Sequence, residues 1–450
     1  MPRFPRRLPR PRLPRPRLPG VRLPRPRLSA PKTVGARLLA VIALAAAGGL
    51  AIALVQRAGN GEPERQAGGE ESFLRRLLPA TEAATAEQLA RSLPLERKVG
   101  QLFLWGFRGT EASGPVIRRI QELGIGGVVL EAGNYRGPAQ LKALTRGLAR
   151  EMRRKRRLEP WTMVQQLGGQ FSAFRDLPPE RTPADTDSPR AARKEAEEAG
   201  RALASVGVNA LFGPSVDVGL EDGGALGARL YSDDPEQVSA YAEATVRAYE
   251  RAGILTAPSH FPGLGSATEA TETGPANVGG SLDELRRRDL PPFRAAFRAG
   301  ASAVVVGSGL YTTDDFVTPA SLSARIVNDL LRGELGFRGV AMTDDLSDPA
   351  VTPFLSPPKA AVEALRAGAD LIYVSGPPPD QKAAYDAVLK AAREKRIPPE
   401  RIDEALLRTL AAKRDHDVLA PPERRRPRER KRSRESRGGA ERGGGGLGSG

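Results

Sequence analysis

Two adjacent carboxylates, Asp344 and Asp345, are the strongest chemical feature of this sequence of 450 residues. They follow a short apolar run, and carboxylates so placed can attack an electrophilic carbon or exchange protons with a substrate. Asp217, His260 and Gln165 also follow apolar runs. The residue types therefore indicate polar chemistry at the ends of several strands.

Cysteine is absent, and histidine occurs only twice, at His260 and His416. This composition excludes disulfides, thiolate metal sites, cysteine nucleophiles and sites built from several histidines. Gly168-Gly169 lacks the Lys-Ser/Thr of a phosphate-binding loop. We expect no metal and no organic cofactor, and we expect His416, in the last predicted helix, on the surface.

Eight short apolar runs alternate with amphipathic stretches between residues 90 and 420. The runs are Gln101–Phe107, Gly126–Leu130, Trp161–Gln166, Asn209–Gly213, Ile254–Phe261, Ser302–Val306, Gly339–Thr343 and Asp370–Ser375. Helical patterns cover Pro138–Arg156, Ala191–Val206, Pro235–Ala252, Leu282–Ala299, Ser321–Leu335 and Lys359–Ala367. This alternation predicts an α/β fold, a (β/α)8 barrel of the TIM type at residues 91–420 with its chemistry at the carboxyl ends of the strands. A doubly wound open sheet is the alternative.

The positive charge is concentrated at the two ends of the chain. Residues 1–37 carry +12 and residues 421–450 carry +6, which leaves −2 of the formal +16 for residues 38–420. The first segment repeats Leu-Pro-Arg-Pro-Arg, and proline at this density forbids helix and sheet. We expect two disordered basic tails that touch anionic lipid or polymers at most, and no specific nucleic-acid partner, because no aromatic residues are interleaved for base stacking.

Residues 38–55 form an uncharged apolar run of eighteen residues. As a helix the run would span about 27 Å, enough for a bilayer core. The cations before it predict a single-pass cell-membrane anchor with a cytoplasmic N-terminus, a linker at residues 56–90 and an extracytoplasmic barrel. A cleaved signal peptide is the alternative.

Six sequence blocks between residues 90 and 415 resemble, in order, the barrel domain of glycoside hydrolase family 3. They are LPLERKVGQLFLWGFRGT (93–110), GIGGVVLEAGN (124–134), SVGVNALFGPSVDV (205–218), ARLYSDDPEQV (228–238), SHFPGLG (259–265) and PASLSARIVNDLLRGELGFRGVAMTDDL (319–346). Within the family, the chain is most similar to single-barrel bacterial β-N-acetylhexosaminidases. The resemblance implies retaining hydrolysis of a β-linked sugar with Asp344 as the nucleophile. Arg229, His260 and Asp217 match family positions that line or brace the sugar pocket.

The sequence departs from the family pattern at the acid/base. In the β-N-acetylhexosaminidases, an Asp-x-His dyad on the loop after the fifth strand exchanges protons with the substrate. On this alignment the aspartate is Ala270 and the histidine is Glu272.

Charged pocket positions differ as well. Gln165 and Gln170 replace an aspartate and an arginine after the third strand, Ser259 replaces a lysine, and Ser308 replaces a histidine after the sixth strand. A hydrogen bond to a charged group contributes about 1.5–3 kcal/mol, so three lost charges weaken sugar binding substantially.

Two hypotheses follow from these differences. In the first, which we prefer because a fold does not secure a function, the barrel is a degenerate hydrolase, a non-catalytic glycan-binding or scaffold protein of the cell envelope. In the second, Glu272 replaces the missing histidine as acid/base, as glutamic acid does in most other glycosidases. In both, the expected ligand is a glycan containing N-acetylglucosamine, such as a peptidoglycan fragment.

Overall fold

The computed structural model describes residues 80–419, except residue 222 and residues 312–316, with side chains from Ala86 onward. The predicted arm at 1–37, transmembrane segment at 38–55 and tail at 421–450 lie outside the described residues, as does most of the predicted linker at 56–90. In the part of the chain that is described, no helix combines the length and the hydrophobicity needed to cross a membrane.

Eight parallel strands form one sheet, and each lies within two residues, at either end, of an apolar run identified in the sequence. They are β1 (Phe103–Gly106), β2 (Gly127–Leu130), β3 (Trp161–Gln165), β4 (Ala210–Ser215), β5 (Leu255–Ser259), β7 (Ala303–Val306), β9 (Val340–Asp345) and β10 (Leu371–Val374). A separate pair of short strands, β6 (Asn277–Val278) and β8 (Leu310–Tyr311), lies outside the sheet.

The sheet curls into a nearly closed barrel. Its strand order is β5-β4-β3-β2-β1-β10-β9-β7, so the first and last strands of the chain are neighbours. The seam between β5 and β7 is held just beyond β5, where the Phe261 N–H donates to the Val305 carbonyl at 2.8 Å and the Phe261 carbonyl accepts from Gly307 N–H at 2.9 Å. This arrangement confirms the predicted barrel and not the alternative, a doubly wound open sheet.

Helices connect successive strands. They are α1 (Ala80–Ser92), α2 (Leu95–Gln101), α3 (Gly114–Leu123), α4 (Pro138–Arg154), α5 (Pro189–Ser205), α6 (Pro235–Arg251), α7 (Leu282–Arg288), α8 (Leu290–Ala299), α9 (Pro357–Ala367), α10 (Pro378–Arg393) and α11 (Pro399–Asp415). Many begin at a proline, whose fixed φ suits the first helical turn and whose missing N–H has no intrahelical partner there. Helix α1 overlaps the predicted linker, and its Ala86 and Ala90 pack into the core.

Two predicted helices differ from their expected form. The stretch 282–299 divides into α7 and α8 at Asp289, because Pro291 and Pro292 lack the N–H groups that would continue α7. The stretch 321–335 contains a 3-10 turn at Ala320–Leu322 followed by a π-helix at Arg325–Glu334.

Large apolar side chains fill the interior of the barrel, among them Leu104, Trp161, Met163 and Met342. The strands are buried on both faces, as parallel strands covered by helices must be. The side chains therefore alternate between barrel interior and helix layer, and polar residues remain only near the strand ends.

Buried charges cluster before the strands. Asp370 precedes β10 and pairs with Arg332, Arg401 and Arg408 at 2.6, 2.5 and 3.0 Å. His416 is also buried, with Nε2 2.9 Å from Glu250 Oε2. The prediction that His416 lies on the surface is therefore wrong, because helix α11 turns this face toward the barrel.

Candidate functional site

A cleft of about 540 Å³ opens at the carboxyl ends of the strands. Six of the seven predicted site residues line it, and Asp217 lies behind its wall. The lining residues from the prediction are Gln165, Gln170, Arg229, His260, Glu272 and Asp344. Residues distant in sequence meet here because parallel strands of a barrel end on the same face.

Asp344 lies near the end of β9 and is partly exposed to the cleft. Its Oδ1 accepts the backbone N–H of Asp345 at 3.0 Å. Burial raises the pKa of Asp344, while the His260 cation favours the ionised form. The carboxylate thus has one hydrogen bond on one oxygen and remains available to a substrate.

Asp345 has a structural role, as its position next to Asp344 suggested. Its Oδ1 accepts backbone N–H groups from Ser347 at 2.9 Å and Ser375 at 3.0 Å. Asp345 also lies at the cleft wall, but these two bonds engage its carboxylate, whereas Asp344 is bonded only to the Asp345 N–H among the described residues. Asp345 therefore joins the loop after β9 to the end of β10.

Asp217 holds His260 in place. The carboxylate is fully buried, and it accepts the Leu264 N–H at 2.7 Å, the His260 N–H at 3.0 Å and the His260 ring Nδ1–H at 2.8 Å. Burial alone would raise the pKa of Asp217, but the His260 cation and these donors lower it. Asp217 is thus the brace of the loop after β5.

The same pair keeps His260 protonated. Burial lowers the pKa of the imidazole, but the charge and hydrogen bond of Asp217, with smaller contributions from Asp344 and Glu272, raise it to about 9. His260 is therefore a cation at neutral pH. It places a fixed positive charge close to Asp344.

Arg229 binds Glu272 across the cleft. Its Nη1 lies 2.6 Å from Glu272 Oε1, and its guanidinium lies over the Phe171 ring at 5.8 Å. Burial raises the pKa of Glu272, but Arg229 outweighs it and lowers the pKa. Glu272 is therefore held as a carboxylate, the form that accepts a proton, whereas a proton donor requires the acid.

The two glutamines lie after β3 and line the same cleft. Gln165 ends the strand, and Gln170 belongs to the 3-10 turn Gly169–Phe171; both are exposed. Gly168 enters this turn at φ +116, and a Cβ there would lie 1.8 Å from the Arg181 carbonyl oxygen. The turn requires glycine, and the exposed amides can donate to or accept from sugar hydroxyls.

Two further residues at the strand ends have different surroundings. Ser259 ends β5 and lines the cleft. Ser308 is fully buried, and its Oγ lies 3.2 Å from Ser321 Oγ. Ser308 is not among the residues that line the cleft.

Sequence reasoning missed three titratable residues of the cleft, Glu131, Asp348 and Tyr373. Asp348 is partly exposed, and its carboxyl has no hydrogen-bond or ion-pair partner among the described residues. Burial, together with the charges of Asp344, Asp345 and Glu272, raises the pKa of Asp348 to about 9. The signal available in the sequence was a third aspartate four positions after Asp344.

In the described ranges, no cluster of three or more His, Asp or Glu side chains has an arrangement suited to a metal ion.

Comparison with known proteins identifies what this barrel is similar to. Residues 94–412 match the model of the glycosyl hydrolase family 3 N-terminal domain. A β-hexosaminidase from Stenotrophomonas maltophilia is 34% identical over 286 residues, which are 61% of this chain and 84% of that protein.

Solved structures show the same similarity. A glycoside hydrolase family 3 β-N-acetylglucosaminidase from Paenibacillus is 34% identical with a TM-score of 0.70, covering 73% of this chain and 64% of that one. A β-N-acetylhexosaminidase from Beutenbergia cavernae is 30% identical with a TM-score of 0.67, covering 72% and 99%.

Proposed function

The chain belongs to glycosyl hydrolase family 3, and from that premise we propose that it hydrolyses glycans containing β-linked N-acetylglucosamine, with retention of configuration. The observation that carries the proposal is the position of Asp344, at the cleft end of β9 with one oxygen hydrogen-bonded and with the His260 cation nearby. This is the geometry that an attacking carboxylate requires. The activities for which the relatives are named, β-hexosaminidase and β-N-acetylglucosaminidase, support the substrate class.

The reaction begins with attack by Asp344 on the anomeric carbon. The bond from carbon to the glycosidic oxygen breaks as the bond to Asp344 forms, and the departing oxygen takes a proton from an acid of the cleft. Water then attacks the same carbon and releases Asp344. The water gives its proton to the cleft group that earlier acted as the acid. The His260 cation stabilises the ionised nucleophile before the attack.

Glu272 is the sequence-based candidate for the acid. Its ion pair with Arg229 favours the carboxylate, so donation of a proton requires that this pair opens. In the arrangement described here, Glu272 is better suited to accept a hydrogen bond from a substrate hydroxyl.

A second candidate function is non-catalytic glycan binding at the cell envelope. The observation that favours this function is the ion pair between Arg229 and Glu272. The pair holds Glu272, which stands in place of the histidine of the family's dyad, in the form without a proton. The uncharged Gln165, Gln170 and Ser259 add to this argument, since they bind sugar hydroxyls more weakly than charged partners do.

The test is turnover of an aryl β-N-acetylglucosaminide with a good leaving group by the whole chain. Such a substrate needs little acid assistance, so it reports the pocket and the nucleophile. We expect turnover that Asp344→Asn abolishes and that Asp380→Asn, at an exposed position in α10, leaves unchanged. Glycan binding without any turnover above Asp344→Asn would favour the second function.

We further propose that residues 38–55 anchor the protein in the cell membrane, with the N-terminus in the cytoplasm and the barrel outside, where peptidoglycan fragments would be its substrates. The support is the uncharged run preceded by twelve cations and no acid. Full-length protein should sediment with membranes and be digested by external protease in spheroplasts. Deletion of residues 38–55 should abolish sedimentation, and a mature chain that starts after residue 55 would instead show cleavage.

A further inference from the structure

Asp348 lies in the tight turn that follows β9. Its backbone N–H donates to the Asp345 carbonyl at 3.2 Å, and its own carbonyl accepts from Val351 at 2.9 Å and Thr352 at 3.0 Å. These bonds fix the backbone on both sides of the residue. The carboxyl group lies at the wall of the cleft that also contains Asp344.

A backbone bond ties this turn to the loop after β5. The Ala350 N–H donates to the Thr271 carbonyl at 3.1 Å, and Thr271 is the neighbour of Glu272. The turn therefore places Asp348 beside the loop on which the family's members hold their acid/base, although the carboxyl comes from a different strand of the barrel.

The surroundings of Asp348 favour its protonated form. The titratable groups that face it are Asp344 and Asp345 from β9, Glu272 from the loop after β5 and Tyr373 from β10, and none of them is a cation. Its carboxyl receives no hydrogen bond from the described residues.

Asp344 differs from Asp348 in both respects. It receives the Asp345 N–H and faces the His260 cation. Of these two carboxyls, the proton consequently resides on Asp348 and the charge on Asp344, which is the division of roles that a retaining glycosidase needs.

We propose that Asp348 is the acid/base of this barrel, a catalytic residue that replaces the missing His–Asp dyad of the family. This inference rests on the proposed hydrolase function. Asp348 donates its proton to the glycosidic oxygen as the anomeric carbon–oxygen bond breaks and Asp344 becomes esterified. Esterification removes the negative charge of Asp344, which lowers the pKa of Asp348, and the resulting carboxylate takes the proton of the water that releases the sugar.

The experiment compares two aryl β-N-acetylglucosaminides, one with a good and one with a poor leaving group, in the whole chain and its variants. Asp348→Asn should lower kcat/KM for the poor leaving group by about 10²- to 10⁴-fold. It should lower kcat/KM for the good leaving group by less than about tenfold, since that oxygen departs without a proton. The basic limb of the pH profile should disappear in the variant, because the group that must stay protonated is gone.

Azide provides a second readout. It attacks the glycosyl-enzyme without base assistance, so it should restore kcat of Asp348→Asn on the good leaving group and yield the β-configured glycosyl azide. Asp380→Asn is the matched exposed control, and Glu272→Gln tests the rival. Among the described residues the carboxyl of Asp348 has no hydrogen-bond partner, so asparagine should leave the thermal unfolding midpoint unchanged, and that midpoint is measured alongside.

The outcomes separate the two claims. Two outcomes overturn the role of Asp348 and leave the hydrolase intact, provided that turnover depends on Asp344. In the first, Asp348→Asn lowers kcat/KM equally for both substrates. In the second, the loss that depends on the leaving group occurs in Glu272→Gln instead. An absence of Asp344-dependent turnover of the good substrate in the unsubstituted chain overturns the hydrolase, and the role of Asp348 with it.

Discussion

The carboxylate of Glu272 lies 2.6 Å from the guanidinium of Arg229, although 43 residues separate the two in sequence. About half of the Glu272 side chain remains exposed, while Arg229 is largely buried against Phe171. The pair lies at the wall of the cleft that His260 also lines. It also decides the protonation state of the residue that the sequence offered as a proton donor.

Arg229→Met should raise the pKa of Glu272, because it removes the cation that holds the carboxylate ionised while keeping an apolar side chain over Phe171. The titration of Glu272 can be followed by carbon-detected NMR and assigned with Glu272→Gln. Arg366→Met, which breaks an exposed pair with Glu363, serves as the control. An unchanged pKa of Glu272 in Arg229→Met would contradict the role of the ion pair.

Asp217→Asn should lower the free energy of unfolding by about 3–5 kcal/mol, the usual cost of breaking a buried ion pair. Asparagine cannot accept both the Leu264 N–H and the bonds from His260 with the same strength, and it leaves a buried imidazole without its counter-charge. Urea unfolding measures the loss. Asp283→Asn, on an exposed side chain, should change the free energy of unfolding by less than about 0.5 kcal/mol.

Asp217→Asn should also lower the pKa of His260. The folded pKa of His260 is raised to about 9, so its contribution to stability is complete below pH 6.5 and disappears as the pH rises through 9. The difference in unfolding free energy between the unsubstituted chain and the variant should shrink over this window. A difference that stays constant between pH 6.5 and 9 would argue against a protonated His260.

The buried Lys413 should make the free energy of unfolding depend on pH with a sign opposite to that of His260. It is fully buried in α11, its Nζ donates to Gln101 Oε1 at 2.8 Å and to the Glu159 carbonyl at 2.9 Å, and burial lowers its pKa to about 7. Between pH 7 and 10.5 the unfolded chain binds a proton that the folded chain does not, so stability rises with pH in that window.

Lys413→Met removes the contribution of this side chain to the pH dependence of stability. The unfolding free energy of the unsubstituted chain minus that of Lys413→Met should therefore increase with pH above 7, with a slope approaching about 1.4 kcal/mol per pH unit. Lys390→Met, at an exposed position of α10, should give a flat difference. A difference that stays flat between pH 7 and 10.5 would mean that Lys413 is charged in the folded state.

Gly265 tests how tightly the loop after β5 is packed. A Cβ on this residue would lie 1.8 Å from the Val218 carbonyl oxygen, so Gly265→Ala must displace backbone. We expect a loss of about 1–3 kcal/mol of unfolding free energy and a raised KM, because the shift separates Leu264 from Asp217 and releases His260. Gly279→Ala, where no atom lies within 4 Å of the new Cβ, is the control and should leave both quantities unchanged.

The fold could be predicted from the sequence because its main signal is local. Each of the eight runs carries its own apolar pattern and its own turn residues, and the strands follow in chain order around the barrel. The helices predicted at 282–299 and 321–335 show that this reasoning does not fix how a helical stretch is divided or wound. Pro291 and Pro292 divide the first, and the second is wound as a π-helix over Arg325–Glu334.

The sequence by itself determined that Asp344, His260 and Gln165 would meet, because residues at the carboxyl ends of parallel strands share one face of a barrel. Arg229 was expected there only from the resemblance to the family. Only the tertiary structure decided which charge pairs with which. Glu272 pairs with Arg229, and His416 turns inward to Glu250. The physical reason is that electrostatic pairing and burial depend on distances between side chains from separate elements, and no local pattern encodes these distances. Asp348 illustrates it most clearly, since its proton depends on burial and on three carboxylates, two from the end of β9 and one from the loop after β5.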